Sequence, residues 1–156
     1  MTGSTLDMIM IARLAAPDAI GSGAEQAHPC ALGWATVDLD RAASELARDL
    51  RFSPDAFVDA GESLALGARC RVARDVLPGD LALVILEPAT EGRLAATLAR
   101  FGEGPAVTWY RTDEPVAVGA SGSRSGPFGP ERLVAGDPIH GPHRLLIWPE
   151  TGTIAP

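Results

Sequence analysis

The sequence predicts an α+β fold in which short strands outnumber helices, and three observations support this prediction. The first half of the chain reads as strand, helix and then three strands, because one amphipathic segment is followed by three short apolar runs. Residues 81–110 then show an apolar run, an amphipathic stretch, the turn Gly102-Glu103-Gly104 and a second apolar run. A chain of 156 residues is long enough to bury the core of one such domain.

Composition and charge exclude several classes of function. The net charge is −7, all 13 basic residues are Arg, and they form no basic block. Because neutralisation of phosphates supplies most of the affinity for nucleic acids, we expect no nucleic-acid partner. Neither a membrane span nor a signal peptide is evident, so we expect a cytoplasmic protein that does not bind membranes. Cys30 and Cys70 fit no metal spacing and are expected to be reduced.

The first half of the chain contains one predicted helix between strands. Residues 1–27 are weakly patterned and are expected to form a flexible N-terminal arm. A strand is predicted over Ala31–Val37, and Asp38 can cap a helix over Leu39–Leu50 whose apolar residues fall on one face. Three strands are then expected near Phe57–Asp59, over Leu66–Ala73 and over Leu81–Leu86.

The second half begins with a linker helix and then becomes less regular. The helix is predicted within residues 89–103, with Thr90 as its cap, and a strand over Ala106–Arg111 follows. Residues 116–136 are rich in Gly and Pro, which argues against a helix there. Two further strands are predicted over Glu131–Ala135 and His143–Trp148.

Three groups of residues carry a family resemblance through their order and spacing. They are Ala31–Ala42 at the start, Leu86-Glu87-Pro88 with Gly102-Glu103-Gly104 in the centre, and Trp148–Gly152 at the end. Together they resemble the vicinal-oxygen-chelate superfamily, which includes glyoxalase-like, bleomycin-resistance-like and extradiol dioxygenase proteins. The resemblance implies paired βαβββ modules that form a cup-shaped mixed sheet with the ligand or metal inside.

The resemblance also implies a division of the chain. Residues 28–156 would form one glyoxalase-like domain. Its first module would span 28–88, its linker helix 89–103, and an abbreviated second module that lacks its helix 104–156.

The same resemblance indicates where a metal would be held. In metal-dependent members, four strand positions carry His, Glu or Gln, and each side chain points into the cup. Here these positions fall on Ala31, Val84 and Val107, with the fourth near Ala155. Metal ligands need a lone pair on N, O or S, so we expect no metal and no other cofactor at this place.

A displaced metal site is the alternative. His28, His140, His143 and Glu150 would supply a His/His/carboxylate set, with His143 and Glu150 as the catalytic candidates. The opposing interpretation is that the histidines are loop and strand-edge residues, since they show neither ligand spacing nor an i, i+4 pair on a helix.

Side-chain alternation along strands predicts the ligand-binding residues of the cup. Trp109 and Arg111 share the face of the metal position on their strand. Arg69 and Arg71 are assigned to the cup face as well, because their small apolar neighbours suit the helix-covered side. With Trp148 they would suit a planar, carboxylate-bearing ligand through guanidinium forks and indole stacking. The alternative is that Arg69, Arg71 and Arg74 form a solvated edge paired with acidic side chains.

These features predict a metal-independent protein that binds a planar or carboxylate-bearing metabolite in the cup, as bleomycin-resistance-like members do, with isomerase or cyclase activity as an extension. The alternatives are a metal-dependent lyase or dioxygenase of specialised metabolism that uses the displaced set, and a degenerate partner subunit. Whether the protein is an enzyme stays open at this point. The expected partners are the small molecule and a second copy in a homodimer. Arg71→Ala and Trp109→Ala are expected to weaken binding without unfolding the protein.

Overall fold

The computed structural model describes residues 28–111, 124–134 and 138–147, in which eight strands form one mixed sheet. The strands are β1 His28–Ala35, β2 Val58–Ser63, β3 Ala68–Ala73, β4 Ala82–Pro88, β5 Gly104–Arg111, β6 Arg124–Gly126, β7 Gly129–Leu133 and β8 His143–Ile147. The helices are α1 Leu39–Leu50 and α2 Arg93–Phe101, and short 3₁₀ turns occupy Pro54–Ala56 and Pro78–Asp80.

The sheet consists of two halves with the same internal order. The full order is β2-β3-β4-β1-β5-β8-β7-β6. In each half the first strand pairs in parallel with the last, β1 with β4 and β5 with β8. The halves meet where β1 and β5 pair antiparallel. This arrangement is a mixed sheet built from two repeats of one strand topology.

The sheet curls until its two outer strands approach each other. The backbone N–H of Leu64, which follows β2, donates to the carbonyl oxygen of Ser125 in β6 at 3.0 Å. The predicted cup-shaped α+β sheet is therefore confirmed. In the second half, no helix occurs within 104–111, 124–134 and 138–147. The connection from β5 to β6, where the first half has α1, lies outside the described residues, as do the predicted arm over 1–27 and Trp148.

Helix α1 follows the sequence prediction closely. The Asp38 side chain accepts a hydrogen bond from the backbone N–H of Arg41 at 3.1 Å, which satisfies one of the unpaired donors of the first turn. The helix buries the five apolar side chains of one face: Leu39, Ala42, Ala43, Leu46 and Ala47. All of these except Ala47 belong to one cluster with Leu32, Leu83 and Ile85 on the outer face of the sheet. Helix α1 therefore covers the outside of the cup.

Helix α2 begins later than predicted, and Thr90 does not cap it. The N-cap is Gly92, no side chain bonds there, and the Thr90 hydroxyl donates to the carbonyl oxygen of Glu91 instead. The backbone N–H of Leu94 donates to the carbonyl oxygen of Leu66 at 3.0 Å. The start of α2 is therefore set by a bond to Leu66, which is distant in sequence. Local capping rules, which select Thr90, identify the wrong residue. Neither helix is long and apolar enough to cross a membrane among the described residues.

The buried residues form two clusters, one on each face of the sheet. The outer cluster lies under α1. The inner cluster fills the cup and consists of Ala31, Ala35, Leu66, Ala68, Cys70, Val72, Ala82, Val84, Leu86, Leu94, Ala106, Val107, Trp109, Leu145 and Ile147. The cup is therefore a packed core over most of its depth.

Candidate functional site

Trp109 fills the centre of the cup. Its side chain points inward, as predicted, and is fully buried. Gly33 faces Val107 on the neighbouring strand, and a Cβ at Gly33 would come within 2.9 Å of both Trp109 and Val107. A glycine is therefore needed at this point to let the indole lie across the sheet. Because Trp109 is fully buried among the described residues, its indole is packed against core side chains rather than exposed to a ligand.

The positions at which the superfamily would hold a metal carry only carbon in their side chains here. Ala31, Val84 and Val107 all belong to the inner cluster and are at most 4% exposed. The inward orientation of these positions agrees with the alternation argument. None of the three offers a lone pair to a cation, so these residues do not fit a metal. The fourth position, Ala155, lies outside the described residues.

The displaced His set does not assemble among the described residues. His28 on β1 pairs with Arg111 of β5, and His143 on β8 pairs with Val107 of β5. Because Arg111 and Val107 are four residues apart, the two histidines are separated by about 13 Å along the direction of β5. The ring of His140 instead packs edge-on against Phe101, with centroids 5.7 Å apart. Within the described residues, no three His, Cys, Asp or Glu side chains come together as a metal site. Glu150 lies outside them.

His143, a catalytic candidate from the sequence, joins β8 to α2. It is buried, and its Nε2 lies 2.9 Å from the hydroxyl oxygen of Thr97. That hydroxyl already donates its only proton to the carbonyl oxygen of Arg93 at 2.9 Å. Nε2 is therefore the donor in the contact with Thr97. This bond gives His143 a structural role at the end of the cup that α2 closes.

The assignment of Arg69 and Arg71 to the cup face is wrong. Their β3 neighbours Ala68, Cys70 and Val72 occupy the inner cluster. Arg69 forms an ion pair with Glu87, and Arg71 Nη2 lies 2.9 Å from a carboxylate oxygen of Asp40 on α1. Small and apolar side chains fit the crowded interior of a curled sheet, whereas the outer face has room for long charged ones. Arg69 and Arg71 therefore pair with acidic side chains, as the alternative interpretation expects, whereas its third arginine, Arg74, lines a cavity.

A polar cavity of about 440 Å³ lies at the open end of the cup, which we call the mouth cavity. It is lined by His28, Pro29, Cys30, Arg74, Asp75, Gly79, Asp80, Ala82, Arg111 and Phe128. Arg111 was predicted from the sequence, whereas Arg74 and Phe128 were not assigned to the site. The mouth cavity gathers residues from β1, β5, the β3–β4 loop and the β6–β7 turn.

An aromatic floor separates the mouth cavity from the packed interior. The rings of Phe128 and Trp109 meet edge to face, with centroids 5.6 Å apart. The guanidinium carbon of Arg74 lies 5.6 Å from the centroid of Phe128, within the range of a cation–π contact. Phe128 therefore lines the mouth cavity, and Trp109 contacts it from the interior side.

Two arginines place positive charge on the wall of the mouth cavity. Burial raises the pKa of the Cys30 thiol, and Arg111 acts in the opposite direction through its charge and a hydrogen bond. Arg74 also acts to lower this pKa through its charge. The positive field of both guanidinium groups therefore reaches Cys30.

Glu131 is a buried carboxylate in the cup that the sequence analysis missed. It is fully buried, and its two oxygens accept hydrogen bonds from Ser63 Oγ at 2.6 Å and from Trp109 Nε1 at 2.9 Å. Burial raises its pKa to about 6, against the opposing effect of the two hydrogen bonds. A Cβ at Gly126 would collide with this carboxylate. Glu131 and Leu133 share one face of β7, and Leu133 packs against the inner cluster, so alternation along the predicted strand was the signal that could have found Glu131.

A second cavity at the other end of the molecule is less suited to a charged ligand. It measures about 350 Å³ and is lined by Thr97, Phe101, Gly102, Glu103, Gly104, Pro105, Ala106 and Pro142. Its one carboxylate, Glu103, accepts from the backbone N–H of Val37 at 2.9 Å and pairs with Arg41 at 2.7 Å. The hydrogen bond from Arg41 is the main cause that lowers the pKa of Glu103 to about 2. Glu103 therefore anchors the start of α1.

Solved structures with a similar fold include two epimerases. Methylmalonyl-CoA epimerase from Mycobacterium tuberculosis superposes with a TM-score of 0.59 at 18% identity, covering 82% of this chain and 91% of that chain. A variant of Streptomyces coelicolor methylmalonyl-CoA epimerase in complex with 2-nitronate-propionyl-CoA superposes with a TM-score of 0.60 at 21% identity, covering 79% of this chain and 94% of that chain. The hypothetical protein BH1468 from Bacillus halodurans C-125 superposes with a TM-score of 0.58 at 14% identity, covering 81% of this chain and 96% of that chain. No family model and no curated protein matches the sequence.

Proposed function

From the vicinal-oxygen-chelate fold that the chain shares with these structures, we propose a protein that binds a small, carboxylate-bearing metabolite in the mouth cavity without a metal. The observation that carries the proposal is the pair of arginines, Arg74 and Arg111, on the wall of one cavity with an aromatic floor. A volume of about 440 Å³ lies within the usual range of small-molecule sites, about 300–1,000 Å³.

The chemistry of the two arginines favours a carboxylate as the recognised group. A guanidinium presents a planar fork of donors that matches the two oxygens of a carboxylate. The ring of Phe128 offers an apolar surface for the remainder of a planar ligand. Arg111 keeps the role expected from the sequence. Trp109 supports the ring of Phe128 from below rather than stacking on the ligand.

Metal independence is proposed because Ala31, Val84 and Val107 cannot ligate a cation. We expect elemental analysis of the purified protein to find less than about a tenth of an equivalent of any transition metal, and EDTA to leave ligand affinity unchanged. One equivalent of a divalent metal, with loss of binding after chelation, would instead support the metal-dependent alternative.

Isomerase or cyclase activity at the same place is an extension of the proposal. Such a reaction needs a proton-transfer group beside the ligand, and His28 and Cys30 both line the mouth cavity. A structural neighbour was solved with an acyl-CoA analogue, so methylmalonyl-CoA is a reasonable first substrate to assay. A cytoplasmic location and a homodimer are also proposed. Native mass spectrometry measures the oligomeric state.

The binding site is tested by comparing two arginines on opposite faces of the sheet. We expect Arg111→Ala to weaken the binding of aromatic and aliphatic carboxylates about tenfold or more, because a hydrogen bond to a charged group contributes about 1.5–3 kcal/mol. Arg71→Ala is the matched control, since Arg71 pairs with Asp40 outside the cup. Isothermal titration calorimetry measures both. Equal affinities in the two variants would refute the mouth cavity as the carboxylate site.

A further inference from the structure

We infer that the ligand of the mouth cavity is zwitterionic and carries a cationic group, such as the ammonium of an amino acid, in addition to its carboxylate. This inference rests on the proposed function and narrows the class of ligand. It comes from the two aspartates that share the cavity with the two arginines, Asp75 and Asp80.

The four charged side chains of the mouth cavity do not neutralise one another. Arg74, Arg111, Asp75 and Asp80 line one cavity, yet none of the four forms an ion pair within the part of the chain that the structure describes. Elsewhere the arginines of β3 and α1 do find acidic partners, as Arg71 does with Asp40. Two charges of each sign are therefore available to a ligand.

The charged groups come from two places in the fold. Arg74, Asp75 and Asp80 lie on the connection between β3 and β4, whereas Arg111 ends β5. Strands β4 and β5 are separated by β1, so their backbones are about 10 Å apart at the usual spacing of strands. A small ligand fits between them with its carboxylate toward Arg111 and its cationic group toward the loop.

The loop holds its aspartates in an unusual backbone conformation. Asp75 and Asp80 have φ of 62° and 61°, and Gly79 between them has φ of 78°. Residues other than Gly adopt this left-handed region at a cost in free energy, and such residues cluster at functional sites. Asn tolerates the same conformation as Asp, which makes Asp→Asn a substitution that removes the charge and keeps the loop.

The balance of charges disfavours a ligand that is only anionic. Its carboxylate would approach Arg111 but would also lie near two aspartates that stay without a partner. The ammonium of an amino acid supplies that partner. The apolar part of the lining, Phe128, Pro29 and Ala82, suits an apolar or aromatic side chain on the ligand.

The test compares amino acids with the same molecules lacking the amino group. The probes are L-phenylalanine, L-leucine and L-tryptophan, each paired with its deaminated acid: hydrocinnamate, isocaproate and indolepropionate. Affinities are measured by calorimetry on the full chain and on three variants: Asp75→Asn, Asp80→Asn and Arg111→Ala. Asp55→Asn is the control, because Asp55 is exposed and lies outside the mouth cavity.

We expect at least one amino acid to bind about threefold to tenfold more tightly than its deaminated acid, since partly exposed charges contribute modestly. Asp75→Asn or Asp80→Asn should remove that gain and leave the affinity for the deaminated acid unchanged or higher. Asp55→Asn should alter neither affinity.

The outcomes separate this inference from the proposed function. If the deaminated acids bind in an Arg111-dependent way and the amino group adds nothing, the zwitterionic ligand is refuted and the carboxylate site stands. If amino acids bind more tightly but both Asp→Asn variants retain the gain, the assigned role of the loop is refuted. If neither class binds to the full chain, both proposals fail.

Discussion

The interior and the mouth of the cup differ in whether their charged side chains have partners within the protein. Among the described residues, the interior contains one buried carboxylate, Glu131, whose two oxygens are bonded to Ser63 and Trp109. The mouth cavity carries four charged side chains that form no ion pairs within the described residues. A buried polar group destabilises the fold unless it forms hydrogen bonds, whereas an exposed charged side chain is solvated by water and can stay unpaired until a ligand binds. The interior therefore contributes most to stability, and the mouth is the place we propose for binding.

The largest effect expected from this contrast follows removal of the central indole. Trp109 is fully buried, so Trp109→Ala should lower the free energy of unfolding by about 3–5 kcal/mol through lost contacts and a residual cavity. This replaces the expectation that the substitution leaves the fold intact. Urea denaturation measures the change. Trp34→Ala, at a partly buried residue of the outer cluster, is the control and should cost less. Equal losses would place the two residues in similar environments and contradict the contrast.

The second effect is a dependence of stability on pH that originates at Glu131. Burial raises its pKa from 4.5 to about 6, so the folded state binds the proton more tightly than the unfolded state. The resulting stabilisation is complete below pH 4.5 and disappears as the pH rises through about 6, a loss of about 2 kcal/mol.

Glu131→Gln should abolish this pH dependence, because the amide stays neutral and can still accept from Trp109 and donate to Ser63. Unfolding free energies at pH 4.5 and pH 7 measure the slope, with Glu62→Gln on an exposed position of β2 as the control. If Glu131→Gln retains the slope of the unmodified protein, the buried carboxylate is not its source.

The smallest effect on stability is expected at the mouth. Arg111→Ala and Asp80→Asn should each change the free energy of unfolding by less than about 0.5 kcal/mol, since they remove no ion pair among the described residues. The same variants are expected to change ligand affinity. Thermal and urea denaturation compare them with Trp109→Ala. A loss above about 2 kcal/mol at either position would show that the mouth contributes to the core.

Features set by neighbouring residues could be predicted from the sequence. The cap of α1 at Asp38 and its apolar face over Leu39–Leu50 depend on residues within one or two helical turns, and both predictions are confirmed. The vicinal-oxygen-chelate resemblance is likewise confirmed for the fold. The start of α2 was missed because Leu94 bonds to Leu66, which no local pattern reveals.

The site was harder to predict because it depends on which face of a strand is inside. Alternation separates Arg69 and Arg71 from Cys70 but does not say which set faces the cup, and the sheet's curvature decides in favour of the smaller side chains. Glu131 takes its environment from Ser63, 68 residues away, and Trp109, 22 residues away. Alternation with Leu133 indicates its inward orientation, but its hydrogen-bond partners could not be inferred from the sequence. The ligand-binding role of Arg111 stays a prediction.

The join between β2 and β6 has a consequence for the behaviour of the protein in concentrated solution. An exposed outer strand presents unpaired N–H and C=O groups that can recruit strands from other molecules and begin aggregation. Here the two outer strands approach each other: Leu64, after β2, bonds to Ser125 of β6, and Ser63 of β2 bonds to Glu131 of the neighbouring strand β7. At this point of contact, the pairing groups of the two outer strands are used within the molecule. Curling of the sheet thus shortens the length of free strand edge at which edge-to-edge association could begin.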